Sequence, residues 1–155
     1  MRRSTKYFGE VEIQKGDVVT FEQGIPGFLD DKEFVFLPLD ETDFVIMQSI
    51  TTPSLALVTT SPFTFFKDYQ IKLSDGVVNQ LQIEKETEVT LFIILNVKEP
   101  FSKSTANLVA PVIINKEKKL GKQVILENSS YKTRHPLFEV ETKKKEAISN
   151  ASTKA

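Results

Sequence analysis

The chain has 155 residues, 40% of them hydrophobic with twelve Phe, no Cys, and a net charge of −1. That suffices for one domain of about 100–150 residues with a packed core and a short tail, and it excludes disulfides, thiolate metal sites and a Cys nucleophile. No apolar run approaches the roughly 20 residues needed to cross a bilayer and none follows Arg2 and Arg3 as in a secretory signal, so a soluble cytoplasmic protein without membrane contact is expected.

In chain order, Val11 and Ile13 alternate with polar neighbours, and Gly16-Asp17 reads as a turn into Val18–Glu22, which predicts a first hairpin. Pro26-Gly27 suits a type II turn, with Pro presetting φ and Gly taking φ > 0, and Ile25 and Phe28 flank it. Phe34–Leu37, Phe44–Ile50 and Leu55–Thr60 are short apolar runs. Asp40-Glu41-Thr42-Asp43 makes an acidic turn between the first two. Ser61-Pro62 is an N-cap followed by Pro at the first helical position, predicting a one- or two-turn helix through Phe63, Phe65 and Phe66. Tyr69, Ile71 and Leu73 alternate as in a half-buried strand. Ser74 or Asp75 caps a second short helix through Leu81, with Val77, Val78 and Leu81 on one face.

Thr87–Val97 is the longest predicted strand, with Val89, Leu91, Ile93 and Leu95 on one face and Phe92 and Ile94 on the other, so it belongs in the centre. Leu108–Ile114 is apolar on both faces and should be covered, yet Pro111 has no N–H to give and belongs at a sheet edge, a strand start or a bulge. Asn107 is placed to hold the preceding turn through its side chain. Lys116 to Lys119 form a charged connection, and Val124–Leu126 continue apolar as the second strand of a hairpin. Tyr131 to His135 reads as a loop and Leu137–Val140 as a last strand. Short strands punctuated by turns indicate a mainly β fold: a single small antiparallel barrel or sandwich-like domain over residues 1–140 with one or two short helices. Residues 141–155 have little to bury and form a polar, disordered tail.

Catalytic chemistry finds little support. His135 is the one His, so a Ser-His-acid triad or an imidazole metal site would have to use it. The acidic pairs Asp30-Asp31 and Asp40-Glu41 lie in turns, and there is no phosphate-cradling glycine motif. No enzyme, cofactor or metal is expected. The alternative is a small nucleic-acid-binding barrel of the OB type, with Lys116, Lys118, Lys119 and Lys122 together, although a sequence pI near 5.9 disfavours it. Charge is unevenly spread: residues 1–100 carry net −7 and residues 101–155 net +6. An acidic body favours basic partners. The Phe63, Phe65 and Phe66 helix and the edge near Pro111 are the candidate protein-binding features.

Three motifs in order, FEQGIPGF (Phe21–Phe28), PFTFFKDY (Pro62–Tyr69) and TANLVAPVIIN (Thr105–Asn115), with Lys122–Leu126 behind them, resemble the flagellar assembly factor FliW family over roughly residues 5–136. The resemblance implies a β-barrel-like, non-catalytic protein, monomeric when free, with two protein partners and no direct nucleic-acid contact. One is flagellin; the other is the translational regulator CsrA, which represses flagellin mRNA. Retained flagellin would occupy the factor, and after export the freed factor would bind CsrA and relieve repression. On this view Asp40, Glu41 and Asp43, with Glu22, Asp30 and Asp31, supply a field that attracts the basic RNA-binding surface of CsrA. Phe63, Phe65, Phe66, Asn107 and Pro111 are the remaining candidate contacts.

Overall fold

The computed structural model describes residues 1–127 and 129–138. It contains strands β1 (Arg2–Ser4), β2 (Glu10–Glu12), β3 (Val19–Thr20), β4 (Glu33–Pro38), β5 (Phe44–Ser49) and β6 (Ala56–Thr60), then helices α1 (Pro62–Phe65) and α2 (Asp75–Gln80). Strands β7 (Val89–Asn96), β8 (Thr105–Ala106), β9 (Val112–Asn115), β10 (Leu120–Gln123) and β11 (His135–Pro136) follow. Seven strands close a barrel in the order β10-β3-β4-β5-β6-β7-β9, with β9 pairing back onto β10. Closure leaves none of these seven as a long free edge. The expected mainly β architecture with two short helices is what forms, with one departure: β3 and β10 run parallel.

Alternation along the strands sorts the side chains. Val19, Phe21, Phe34, Met47, Val112 and Ile114 fill the interior together with Phe36, Phe92 and Ile94. Phe21 and Phe34 are wholly buried and meet edge-on at 5.3 Å between ring centres. Each contributes roughly 2–3 kcal/mol through burial. Gly121 makes room for this filling. A Cβ there would lie 2.6 Å from the Phe21 ring and 2.9 Å from Ile114 Cδ1.

Three clusters cover the outside. The hairpin β1–β2 lays Ile13, with Val11, against Val35 and Ile50. A buried Gln48 secures it: its Oε1 accepts from the Lys6 N–H at 3.0 Å, while its Nε2 donates to the carbonyls of Ser49, Pro53 and Leu55. Helix α2 sets Val77 and Leu81 on Ile113. Ser74 caps it, accepting from the Val77 N–H at 3.2 Å. Buried Asn115 ties α2 to the β9–β10 turn by donating to the Leu81 and Gln82 carbonyls and accepting from the Glu117 and Lys118 N–H groups. The third cover joins Tyr69, Ile93, Leu95, Leu108 and Leu137.

Several expectations are corrected. Val11 and Ile13 do not form a hairpin with Val18–Glu22. Lys15–Asp17 is a short 3-10 turn, β2 pairs with β1, and β3 is taken into the barrel between β4 and β10. Tyr69–Leu73 keeps its alternating burial but forms no ladder among the described residues. Regular pairing in the apolar ribbon starts at Val112, not Leu108, because Asn107–Pro111 bends as a loop. Its partner strand is Leu120–Gln123, although the Val124 and Leu126 N–H groups still donate to the Pro111 and Val109 carbonyls. Pro111 is a strand start: β9 lies between β7 and β10, so no edge is exposed there. The last described strand is His135–Pro136, paired with β8, so His135 is not a loop residue. Glu139 and Val140 and the predicted tail at 141–155 lie outside the described residues. The Pro26-Gly27 turn forms as expected, with Gly27 at φ 88° and the Phe28 N–H donating to Ile25 at 2.9 Å. Ile25 is buried and Phe28 exposed, so only Ile25 anchors the turn.

Candidate protein-binding face

Strand β6 delivers the chain into α1, and β5 starts beside it from the acidic turn. The two meet because Phe44 pairs with Thr60 across the β5–β6 ladder. Ser61 makes no side-chain cap; Pro62 at the first position, with φ preset, starts the single turn. That turn aims Phe65 at Phe44, with ring centres 6.2 Å apart and planes nearly parallel. Phe101 meets Phe44 edge-on at 5.6 Å. Phe138 closes the circuit, 5.6 Å from Phe101 and 6.1 Å from Phe65. The four rings come from four separate segments.

The acidic turn is held firmly against this circuit. Thr42 Oγ1 donates to the Leu39 carbonyl at 2.7 Å and accepts from the Phe44 N–H, and Thr60 Oγ1 donates to the Asp43 carbonyl at 2.7 Å. Glu41 sits at φ 62°. Asp40, Glu41 and Asp43 are all exposed, beside the exposed Leu39. The structure therefore brings two sequence-named features, the Phe helix and the acidic turn, onto one face.

The three helix phenylalanines lie outside the barrel interior. Phe65 and Phe66 are half-buried in the outer cluster, Phe66 against the His135 ring at 5.0 Å. Phe63 is 48% exposed and touches Tyr69 edge-on at 6.4 Å. Tyr69 donates to the Leu108 carbonyl at 2.7 Å, and burial, with Tyr131 tilted against it, pushes its phenol well above the usual range. Asn107 and Pro111 serve the loop before β9. Asn107 Oδ1 accepts from the Ala110 N–H at 3.1 Å, and Pro111 is buried with its carbonyl engaged by Val124.

One acidic residue also has a structural task. Asp31 Oδ1 accepts from Ser49, Thr52 and Thr51 hydroxyls at 2.6, 2.8 and 3.1 Å. The Ser49 bond most of all, then Thr52 and Thr51, holds its carboxyl below the usual range against the opposing effect of burial. Asp31 is a latch on the turn after β5. Similarly, Lys122 does not share the exposed tip with Lys116, Lys118 and Lys119 but donates to Gln80 on α2. Among the described residues no group of three or more His, Asp or Glu could hold a metal ion, and no helix is long and apolar enough to cross a membrane. Phe44, Phe101, Phe138 and Leu39 escaped sequence reasoning as site residues, since nothing in their spacing signals convergence.

A family model described as FliW protein matches residues 2–137. The chain is 54% identical to the Flagellar assembly factor FliW of Geobacillus kaustophilus over 138 residues, covering 89% of this chain and 96% of that protein. It is 47% identical to the protein of the same name from Bacillus subtilis over 134 residues, covering 86% and 94%. A crystal structure described as that of the flagellar assembly factor FliW superposes with a TM-score of 0.86 at 53% identity, covering 88% of this chain and 96% of that one.

Proposed function

The chain belongs to the FliW family of flagellar assembly factors, and on that premise we propose that it acts as a cytoplasmic protein-binding regulator. It binds flagellin and, when flagellin is absent, the translational regulator CsrA, lifting repression of flagellin mRNA. The free protein is a monomer and touches neither membrane nor nucleic acid. The observation that carries the reading is the face where the exposed apolar side chains of Leu39 and Phe101, joined through Phe44, adjoin three exposed carboxylates, Asp40, Glu41 and Asp43. Such a surface offers area to an apolar partner segment and a negative field to a basic one. CsrA must present positive charge to RNA, so a negative face draws the protein in and repels the RNA.

The test is a titration of the protein with flagellin and with CsrA separately, then in competition. Saturable binding to both, with flagellin displacing CsrA, supports the reading, and failure to bind either overturns it. Filter binding to RNA checks the competing class directly. Tight, salt-sensitive RNA binding without CsrA replaces the adaptor reading with a nucleic-acid one.

A further inference from the structure

Between the two helices the chain crosses the outside of the barrel in a way the partner-binding face does not use. Gln70, Lys72 and Ser74 are exposed while Ile71 and Leu73 are half-buried, the alternation of an extended chain lying on a surface. Ile71 and Leu73 pack on the cluster of Val77, Leu81 and Ile113. Yet among the described residues no backbone hydrogen bond involves Ile71, Lys72 or Leu73. The segment has the form of a strand with neither edge paired, and the run is held at its ends: the Gln70 N–H donates to Tyr131 Oη at 2.9 Å, and the Val78 N–H donates to the Ser74 carbonyl at 3.0 Å.

Open space lies on both sides. On one side a groove of about 790 Å³ runs past Phe63, Val78 and Leu91. On the other a groove of about 730 Å³ is walled by Val77, Val124, Ile125 and Leu126. The second has the more exposed apolar side chain on its wall. Ile125 is 64% exposed on its wall. Lys72 and Lys122 line it, with Glu127 the one acid among its lining residues, so its charge is opposite in sign to that of the Asp40–Asp43 turn.

We propose that the Gln70–Ser74 segment is a docking edge for an extended segment of a partner protein, apolar at alternate positions and bearing acidic residues, which adds to it as a strand along the Val124–Leu126 groove. Unpaired backbone supplies hydrogen bonds, the apolar wall receives alternate side chains, and the two lysines select negative charge. This rests on the protein-binding reading above and assigns it a second surface. Because that surface and the acidic face differ in sign, one partner engages each, and the occupant of this edge is the more acidic of the two contacting segments.

Hydrogen exchange of the full chain, alone and with saturating flagellin or CsrA, tests the proposal. The amides of Ile71, Lys72 and Leu73 exchange freely in the unbound protein and slow at least about tenfold with one of the two partners. Ile125→Asp, at an exposed position that leaves folding intact by thermal melt, weakens the same partner at least tenfold, and Lys72→Glu weakens it about fivefold. Binding of both partners with unchanged exchange at 71–73 and with wild-type affinity in Ile125→Asp overturns the docking edge while leaving the partner reading standing. Failure of both partners to bind the wild-type chain overturns the two together.

Discussion

The barrel interior and the outer aromatic circuit use the same residue for opposite ends. Inside, Phe21 and Phe34 are fully buried in a cavity that strands close on every side. Outside, Phe44, Phe65, Phe101 and Phe138 form a ring of contacts with similar centre-to-centre spacings, but Phe101 remains 39% exposed. A ring held by a closed sheet has nothing further to gain from a partner. A ring held by other rings at the surface still has apolar area to lose to one. Stability and recognition are thus assigned to different phenylalanines by how completely the backbone encloses them.

The sharpest way to break the contrast is Phe34→Ala. It empties a fully buried site and costs about 4 kcal/mol by urea unfolding. Gly121→Ala attacks the same interior by overfilling it and costs about 3 kcal/mol, since Phe21 and Ile114 must both shift. If either variant kept wild-type stability, the barrel would not be the closed, filled unit described.

Smaller effects follow away from the interior. Asp31→Asn loosens the latch on Ser49, Thr51 and Thr52 and costs about 1–2 kcal/mol near neutral pH, because bonds to a charged acceptor at a partly exposed site are weakened. The folded-state pKa of Asp31 is lowered, so its contribution is complete above the ordinary carboxylate pKa and disappears as pH falls through the lowered value. Urea curves at about pH 6 and about pH 3 should therefore show the wild-type advantage over Asp31→Asn shrinking on acidification.

At the outer circuit, Phe101→Ala costs about 1 kcal/mol of stability, because the ring is only partly buried. Its effect on partner affinity, read by calorimetry, should be the larger one. Reversing Asp40, Glu41 and Asp43 together to Lys should move stability by no more than about 0.5 kcal/mol, these being exposed turn residues. The affinity for CsrA and its dependence on salt should fall. Unchanged salt dependence would remove the acidic turn from the interface.

Local chemistry made several elements readable. Val89 to Leu95 alternates over a long enough run that its two faces and central place follow from period alone, and it sits between β6 and β9 as that pattern requires. Pro26-Gly27 declares its turn and Ser74 its cap by side-chain type. Tyr69–Leu73 shows the limit of periodicity. Alternating burial reports which side faces the protein, whereas a strand also needs a neighbour at hydrogen-bonding distance, and no residue within the segment specifies that. The misjudged first hairpin has the same cause, since β3 draws its partners from Glu33, Phe34 and Leu120. The candidate face was half legible. The Phe helix and the acidic turn each stand out locally, but Phe101 and Phe138 are unremarkable in their own surroundings.

By itself the sequence determined the mainly β class, the Pro26-Gly27 turn, the Ser74 cap, the lack of thiol chemistry and, through its ordered motifs, the family. The class, the turn and the cap depend on residues within a few positions of one another, and the family on the order of short motifs along the chain. Tertiary structure alone decided that β9 returns to β10 to close the barrel, that Asp31 latches the turn after β5, that the acidic turn lies beside the aromatic circuit, and that Ile71–Leu73 has no backbone partner among the described residues. Each of these depends on groups brought together from distant parts of the chain, and their meeting is set by sheet closure and core packing, which no local pattern encodes.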